Sequence, residues 1–271
     1  MLGQHFNDFF IGHTVIQVVS KLFREIFESF LFFDRDNANS VASCITTARE
    51  NARIVRTALT AQVWDALNTA FQELRQIEAK RDKAELSRLT DWVMKQAAMV
   101  RGAIDGTILR NDGFNFLNIG YYLERGDATA RLMDVKYYVL LPRAEYIGTG
   151  LDNDQWLMLL RGLGAHRAFH WAYGGEVTSA KIAHFLILNP QSPRSLITCV
   201  AGLNNHLGRL AKAYGRETPA QAASARLLAG LEGLTPDHIF DEGLHEFLTR
   251  FITESSALGA VIHDSYLSGD M

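Results

Sequence analysis

Near its end the chain twice sets a proline directly after a threonine, with apolar residues then recurring at intervals of three and four. The stretches are TPAQAASARLLAGL (218–231) and TPDHIFDEGLHEFLTRFI (235–252). A threonine at this place accepts a hydrogen bond from an otherwise unpaired N–H of the first turn. Proline suits the first helical position, where its fixed φ is already helical and its missing N–H loses nothing. LTAQVWDALNTAFQEL (59–74) opens on a threonine N-cap in the same way. No run alternates with the period of a strand, and no Asn-Gly or Asp-Gly joins two β-branched segments. The pattern predicts an all-α helical bundle of about ten helices, with a break near 103–114, AIDGTILRNDGF.

The bundle carries an internal repeat. FLFFDRDNANSVASCI (30–45) aligns without a gap on FLILNPQSPRSLITCV (185–200), 155 residues later. Phe30 matches Phe185, Ser40 matches Ser195 and Cys44 matches Cys199. Each copy reads as a helix end, a polar loop, a serine N-cap and an apolar helix. Upstream, LGQH (2–5) resembles LGAH (163–166), with six extra residues before the shared segment. Carried back further, the offset puts the first copy's equivalent of residues 115–140 about forty residues ahead of Met1. The expectation is therefore one continuous bundle from an internal duplication: an N-terminally incomplete first repeat, 1–113, and a second repeat, 114–271.

Of the 271 residues, 48% are hydrophobic and 21% charged, with a formal net charge of −3, enough apolar material for a large core. That charge, with no Lys/Arg block, weighs against nucleic acid as a partner. The apolar segment FFIGHTVIQVVS is too short to span a bilayer, and no signal-peptide pattern precedes it. Two cysteines, without zinc spacing or a disulfide framework, suit a reducing compartment, so the expected location is the cytoplasm. Both cysteines read as one small buried packing position used twice.

The helix around YYLERGDATARLMDV (121–135) holds the most chemistry. Glu124, Asp127, Arg131 and Asp134 fall within roughly 80° of arc on a helical wheel. Leu117, Tyr121, Ala128, Val135 and Tyr138 form an apolar seam on one side of them. Ile119, Tyr122, Leu123, Gly126, Ala130, Met133 and Tyr137 form another, and Arg125, Thr129 and Lys136 fill the remaining gap. Two seams predict a central helix packed on two sides, with at least one polar gap turned inward. The stripe is either a solvated row of i,i+3 and i,i+4 ion pairs or a buried network. Buried, it needs cations from elsewhere, because unpaired charge inside a bundle is costly.

TTARENARIVR (46–56) can supply them: Arg49, Arg53 and Arg56 stand at i, i+4 and i+7, beside Glu50 and Asn51. Guanidinium binds carboxylate and phosphate in bidentate fashion. At the repeat offset the second copy has Asn204, Gly208 and Ala211 instead. This asymmetry suggests a single polar cleft between helix 40–57 of the first unit and helix 115–140 of the second.

GYYLERGDATARLMDVKYYVLL, FLFFDRDNANSVASCITTARENARIVR, VWDALN and FLILNPQSPRSLITCV, in this order, resemble the bacterial alpha-E domain family, an all-helical family named for its Glu-Arg motif. The resemblance runs from about residue 30 to the C-terminus and makes Glu124 and Arg125 the motif pair, with Arg131 and Asp134 in its continuation. Its genes accompany those of ATP-grasp-type carboxylate–amine ligases and transglutaminase-like proteins. The resemblance thus implies a role in making or trimming amide-linked peptides.

Other constellations are weaker. Glu242 and His245 have Glu-x-x-His spacing, but the second such helix that a di-iron bundle needs is missing. His166 and His170 lack the intervening glutamate of a zinc-protease motif. Asp34, Asp36, Asn37 and Asn39 read as turn and capping residues. No Walker, dinucleotide-glycine or Gly-x-Ser-x-Gly pattern occurs, so no cofactor is expected and any ATP would sit on a partner. The leading expectation is an accessory or substrate-handling component of an ATP-grasp-type ligase system, binding a carboxylate-bearing peptide. A stand-alone amide-forming or amide-cleaving enzyme using Glu124 as acid/base, with Arg125 beside it, is the second. A structural protein–protein interaction bundle is the third.

Overall fold

The computed structural model describes residues 26, 28–80, 85–139, 150–175 and 177–267. Among them every regular element is helical. The predicted all-α class holds, while the stretches 2–5 and 140 of the sequence reading lie outside the described residues. The chain divides into two compact units, 1–109 and 110–271.

In the first unit α1 (Val41–Ile54) packs on α2 (Ala61–Glu78), and α2 on α3 (Leu86–Thr107). Ser40 and Thr60 cap α1 and α2 by accepting from the N–H groups of Ser43 and Val63. Phe32, Phe33, Ala42, Leu74 and Leu89 form the core. Trp92 and Gln96 of α3 both donate to one Glu73 oxygen, at 2.6 and 2.7 Å, which satisfies that carboxylate oxygen twice.

The second unit holds α4 (Asp112–Val139), α5 (Gly150–Gly162), α6 (His166–Tyr173), α7 (Ser179–Ala183), α8 (Leu196–Tyr214), α9 (Pro219–Leu231), α10 (Pro236–Glu242) and α11 (Leu244–Tyr266). Both Thr-Pro starts are capping boxes: Thr218 is answered by Gln221, and Thr235 by His238. The single helix expected over 235–252 is two, because Gly243 has φ +99°, which ends α10 and turns the chain into α11. α4 lies against α8 and α11. The approach to α8 is close. A Cβ at Gly202 would stand 2.6 Å from the Tyr122 ring, and one at Gly126 would stand 3.4 Å from Cys199 Cβ.

Ahead of α1 and of α8 the backbone repeats itself at the 155-residue offset. Ser29–Phe33 and His184–Leu188 are each one wide π turn, closed by Asp34 N–H to Ser29 O and by Asn189 N–H to His184 O, both 2.9 Å. Asp34 and Asn189 then accept from the N–H groups of Asp36 and Gln191. Ser40 and Ser195 cap the following helices, and their hydroxyls donate to Ser43 and Thr198. Those residues in turn reach back to the carbonyls of Arg35 and Pro190. No helix among the described residues is long and apolar enough to cross a membrane.

Candidate functional site at the Glu-Arg helix

Burial divides the two polar gaps of α4. The gap of Arg125, Thr129 and Lys136 faces inward, with Thr129 and Lys136 fully buried. The stripe of Glu124, Asp127, Arg131 and Asp134 is the outer one: Glu124 and Arg131 are exposed, Asp127 and Asp134 half-buried. Of the two seams, the one through Ile119, Ala130 and Met133 is buried, whereas Leu117 and Val135 of the other are exposed.

Asp127, Arg131 and Asp134 of the stripe find partners within their own unit. Arg131 Nε donates to Asp127 Oδ2 at 2.6 Å, and the Asp127 hydrogen bond, with Glu124 adding its charge, holds the guanidinium above its ordinary range. Asp134 Oδ1 lies 2.5 Å from His245 Nδ1 on α11. Glu242 is taken by Arg250 at 2.8 and 2.9 Å, so the two residues of the Glu-x-x-His pattern have separate partners. Among the described residues no three His, Cys, Asp or Glu side chains cluster as metal ligands. His166 and His170 stack edge to face with their Nε2 atoms 3.2 Å apart.

The arginine ladder of the first unit is also engaged locally. Arg49 donates to Asn68 and Glu50, and its guanidinium lies 4.5 Å from the centre of the Phe71 ring. Arg53 donates to Glu50 at 2.8 Å, and together these arginines hold that carboxyl below its usual range. Arg56 falls past the end of α1, in the turn Arg56–Ala58, because Val55 has left helical geometry. Its guanidinium lies 4.5 Å over Trp64. Asn51 is exposed on the helix between them.

The inward gap contains a different arrangement. Arg125 stacks on Tyr121, 4.6 Å from the ring centre, and donates to the carbonyl of Pro193 at 3.0 Å. The next residue, Arg194, is half-buried at the head of α8. Burial first, then the Arg125 charge, pulls its guanidinium below the ordinary range. Neither arginine forms an ion pair among the described residues. Ser192, in the same loop, is buried with a hydroxyl lacking a hydrogen-bond partner there. Two helical turns on from Thr129, Lys136 pairs with Asp152 of α5, both 1% exposed, and its ammonium lies 4.1 Å from the Trp156 ring centre. A pocket of about 280 Å³ beside that pair is lined by Leu132, Val135, Lys136, Gln155 and Met158.

Sequence reasoning passed over Arg194 and the Lys136–Asp152 pair. Arg194 had a signal: it stands directly before the Ser195 cap, where the first copy has Asn39. Asp152 had none, because its partner depends on how α5 folds back on α4.

These features define an all-helical protein organised around a Glu-Arg helix. The chain belongs to the Alpha-E family, described as a predicted alpha-helical domain with a conserved ER motif, whose model matches residues 16–267. No curated relative and no solved structure matches it.

Proposed function

We propose that the protein is an accessory, substrate-handling component of an ATP-grasp-type amide-bond ligase system, and that its second unit holds the carboxylate of a peptide. One observation carries this reading: Arg125 and Arg194 stand together, partly out of water, with no carboxylate between them among the described residues. Like charges brought together without an acid repel, and an oxyanion relieves that cost with charge-assisted, bidentate hydrogen bonds. The N-terminal end of the 19-residue α8, capped by Ser195, adds partial positive charge on the same side. The apolar pocket lies along the same face of α4, since Leu132 and Lys136 follow Arg125 by close to whole helical turns. A peptide anchored by its carboxylate would find an apolar subsite about 10–15 Å away, three or four extended residues along. In a ligase system the bound carboxylate is the group to be activated, and ATP stays with the partner enzyme. A transglutaminase-like protein would act on the same amide-linked products.

The duplication belongs to the same reading. The matched hydrogen bonds before α1 and α8 support two units descended from one ancestor. Asn39 stands before α1 where Arg194 stands before α8, so the oxyanion site belongs to the second unit.

Pull-down from the native host with the neighbouring gene products tests this. The ligase should co-purify with wild type and with Arg194→Gln alike, while the variant supports about tenfold less product, as expected for a lost charge-assisted hydrogen bond. Undiminished product with Arg194→Gln removes the substrate-handling role.

A further inference from the structure

The loop and helix start around Arg125 and Arg194 hold donors and positive charge without matching acceptors. Arg194 is half-buried, yet none of its five N–H groups meets an acceptor among the described residues. Arg125 spends one amino group on the Pro193 carbonyl at 3.0 Å and makes no other hydrogen bond there. The titratable groups that act on Arg194 are Arg125, Tyr121 and Cys199, and no carboxylate is among them. Glu124, next to Arg125 in the chain, is exposed and adds its charge to Arg131 on the outer stripe. Ser192, two residues ahead of Arg194, is 2% exposed, with a hydroxyl that has no partner among the described residues. At the head of α8 the Ser195 hydroxyl takes the Thr198 N–H, and the Ser195 carbonyl takes that of Cys199. The N–H groups of Leu196 and Ile197 stay outside both bonds, as the first donors of a helix do.

Charge and shape together set the kind of anion. A carboxylate brings one negative charge and leaves the two guanidiniums half neutralised, whereas a terminal phosphoryl group brings close to two. A carboxylate is planar and offers one edge that matches a guanidinium fork. A phosphoryl group has three terminal oxygens and so three edges, and two guanidiniums can each pair with it in bidentate fashion.

We infer, resting on the substrate-handling reading, that Arg125 and Arg194 hold the peptide carboxylate in its activated form, as an acyl phosphate, in preference to the free carboxylate. ATP can activate a carboxylate in two ways. Attack of the carboxylate oxygen on the α-phosphorus expels pyrophosphate and gives an acyl adenylate, whose phosphodiester bears one charge. Attack on the γ-phosphorus breaks its bond to ADP and gives an acyl phosphate, which bears two. The two arginines match the second. An amine then attacks the acyl carbon, the C–O bond to phosphate breaks, phosphate leaves with the electron pair, and the nitrogen gives up its proton to water. Both steps belong to the partner ligase, and this site holds the anion between them.

Three forms of one short apolar peptide, titrated calorimetrically into the full chain at about pH 8, test this. One ends in the free carboxylate. The second ends in a ketone phosphonate, in which a methylene group replaces the bridging oxygen of the acyl phosphate, so that it cannot hydrolyse and is doubly ionised. The third is the singly charged methyl ester of that phosphonate. The dianion should bind at least about tenfold tighter than the carboxylate, the gain of one further charge-assisted hydrogen bond, and the ester should lose that gain. Arg194→Gln should bring phosphonate and carboxylate to within about twofold of each other, and Arg194→Lys, which keeps the charge without the fork, should restore part of the difference. A carboxylate that binds as tightly as the phosphonate overturns the acyl phosphate and leaves the carboxylate reading standing. An ester equal to the dianion, or a preference that survives Arg194→Gln, does the same. Binding of none of the three overturns both. Inorganic phosphate that binds as tightly as the peptide phosphonate also overturns the inference, by making free phosphate the occupant.

Discussion

Asp152→Ala is expected to cost about 3–5 kcal/mol in equilibrium urea unfolding followed by circular dichroism, because it leaves the Lys136 ammonium buried without its counter-charge. The Trp156 ring against that ammonium cannot replace a carboxylate. Replacing both partners together, Lys136→Met with Asp152→Leu, should recover most of the loss, since the site then buries no ion. Burial pulls the Lys136 ammonium below its ordinary value, and the Asp152 carboxylate partly opposes this. Between the lowered folded value and the ordinary unfolded one, the unfolded chain binds a proton that the folded chain does not. Stability from this group therefore rises with pH through that window. Without Asp152 the opposing effect is gone and the window widens downward, so the variant should regain more stability toward alkaline pH than wild type does. Equal losses at neutral and alkaline pH would remove the buried ammonium as the cause.

Gly202→Leu should be the second large loss, about 1–3 kcal/mol, because the added side chain meets the Tyr122 ring where even a Cβ stands at 2.6 Å. Helix propensity favours the change by about 1 kcal/mol, too little to offset the overlap. Gly208→Ala on the same helix is the matched control. Nothing lies within 4 Å of its added Cβ, so only the propensity gain remains and the protein should become more stable by about 0.5–1 kcal/mol. A tolerated Gly202→Leu with an unchanged melt would mean that α4 and α8 do not depend on close approach at this glycine.

Much of the architecture can be read from residues alone. Thr60, Thr218 and Thr235 mark helix starts because N-capping is local chemistry, complete within four residues. The polar loops before α1 and α8 were legible as turn and cap residues, since polar loop residues such as Asp34 and Asn189 act on their own neighbours. Gly243 was not legible as a break, because glycine inside a helical pattern is tolerated as often as it ends one.

The site was half legible. A wheel separates two polar gaps on α4 but cannot say which is buried, because that depends on where α8 and α11 lie. The acid-rich stripe drew attention by its regularity, and regular i,i+3 and i,i+4 charge is what an exposed face sustains in water. The sparser gap of Arg125, Thr129 and Lys136 turned inward instead, where each polar group needs a specific partner: Thr129 its own helix carbonyl, Lys136 a carboxylate from α5, Arg125 the Pro193 carbonyl. The two cysteines, read as one position, differ for the same reason. Cys199 lies under α4, whereas Cys44 is exposed.

The central claim, that Arg125 and Arg194 grip an oxyanion, is tested most directly by following their Nε–Hε signals in ¹⁵N-labelled full chain during titration with a short apolar peptide. Free-carboxylate peptide should move both signals together and saturably, the C-terminally amidated peptide should move neither, and inorganic phosphate should compete. If the two signals stay still while the free peptide binds, or move equally with the amide, the arginines do not read the carboxylate and the account fails.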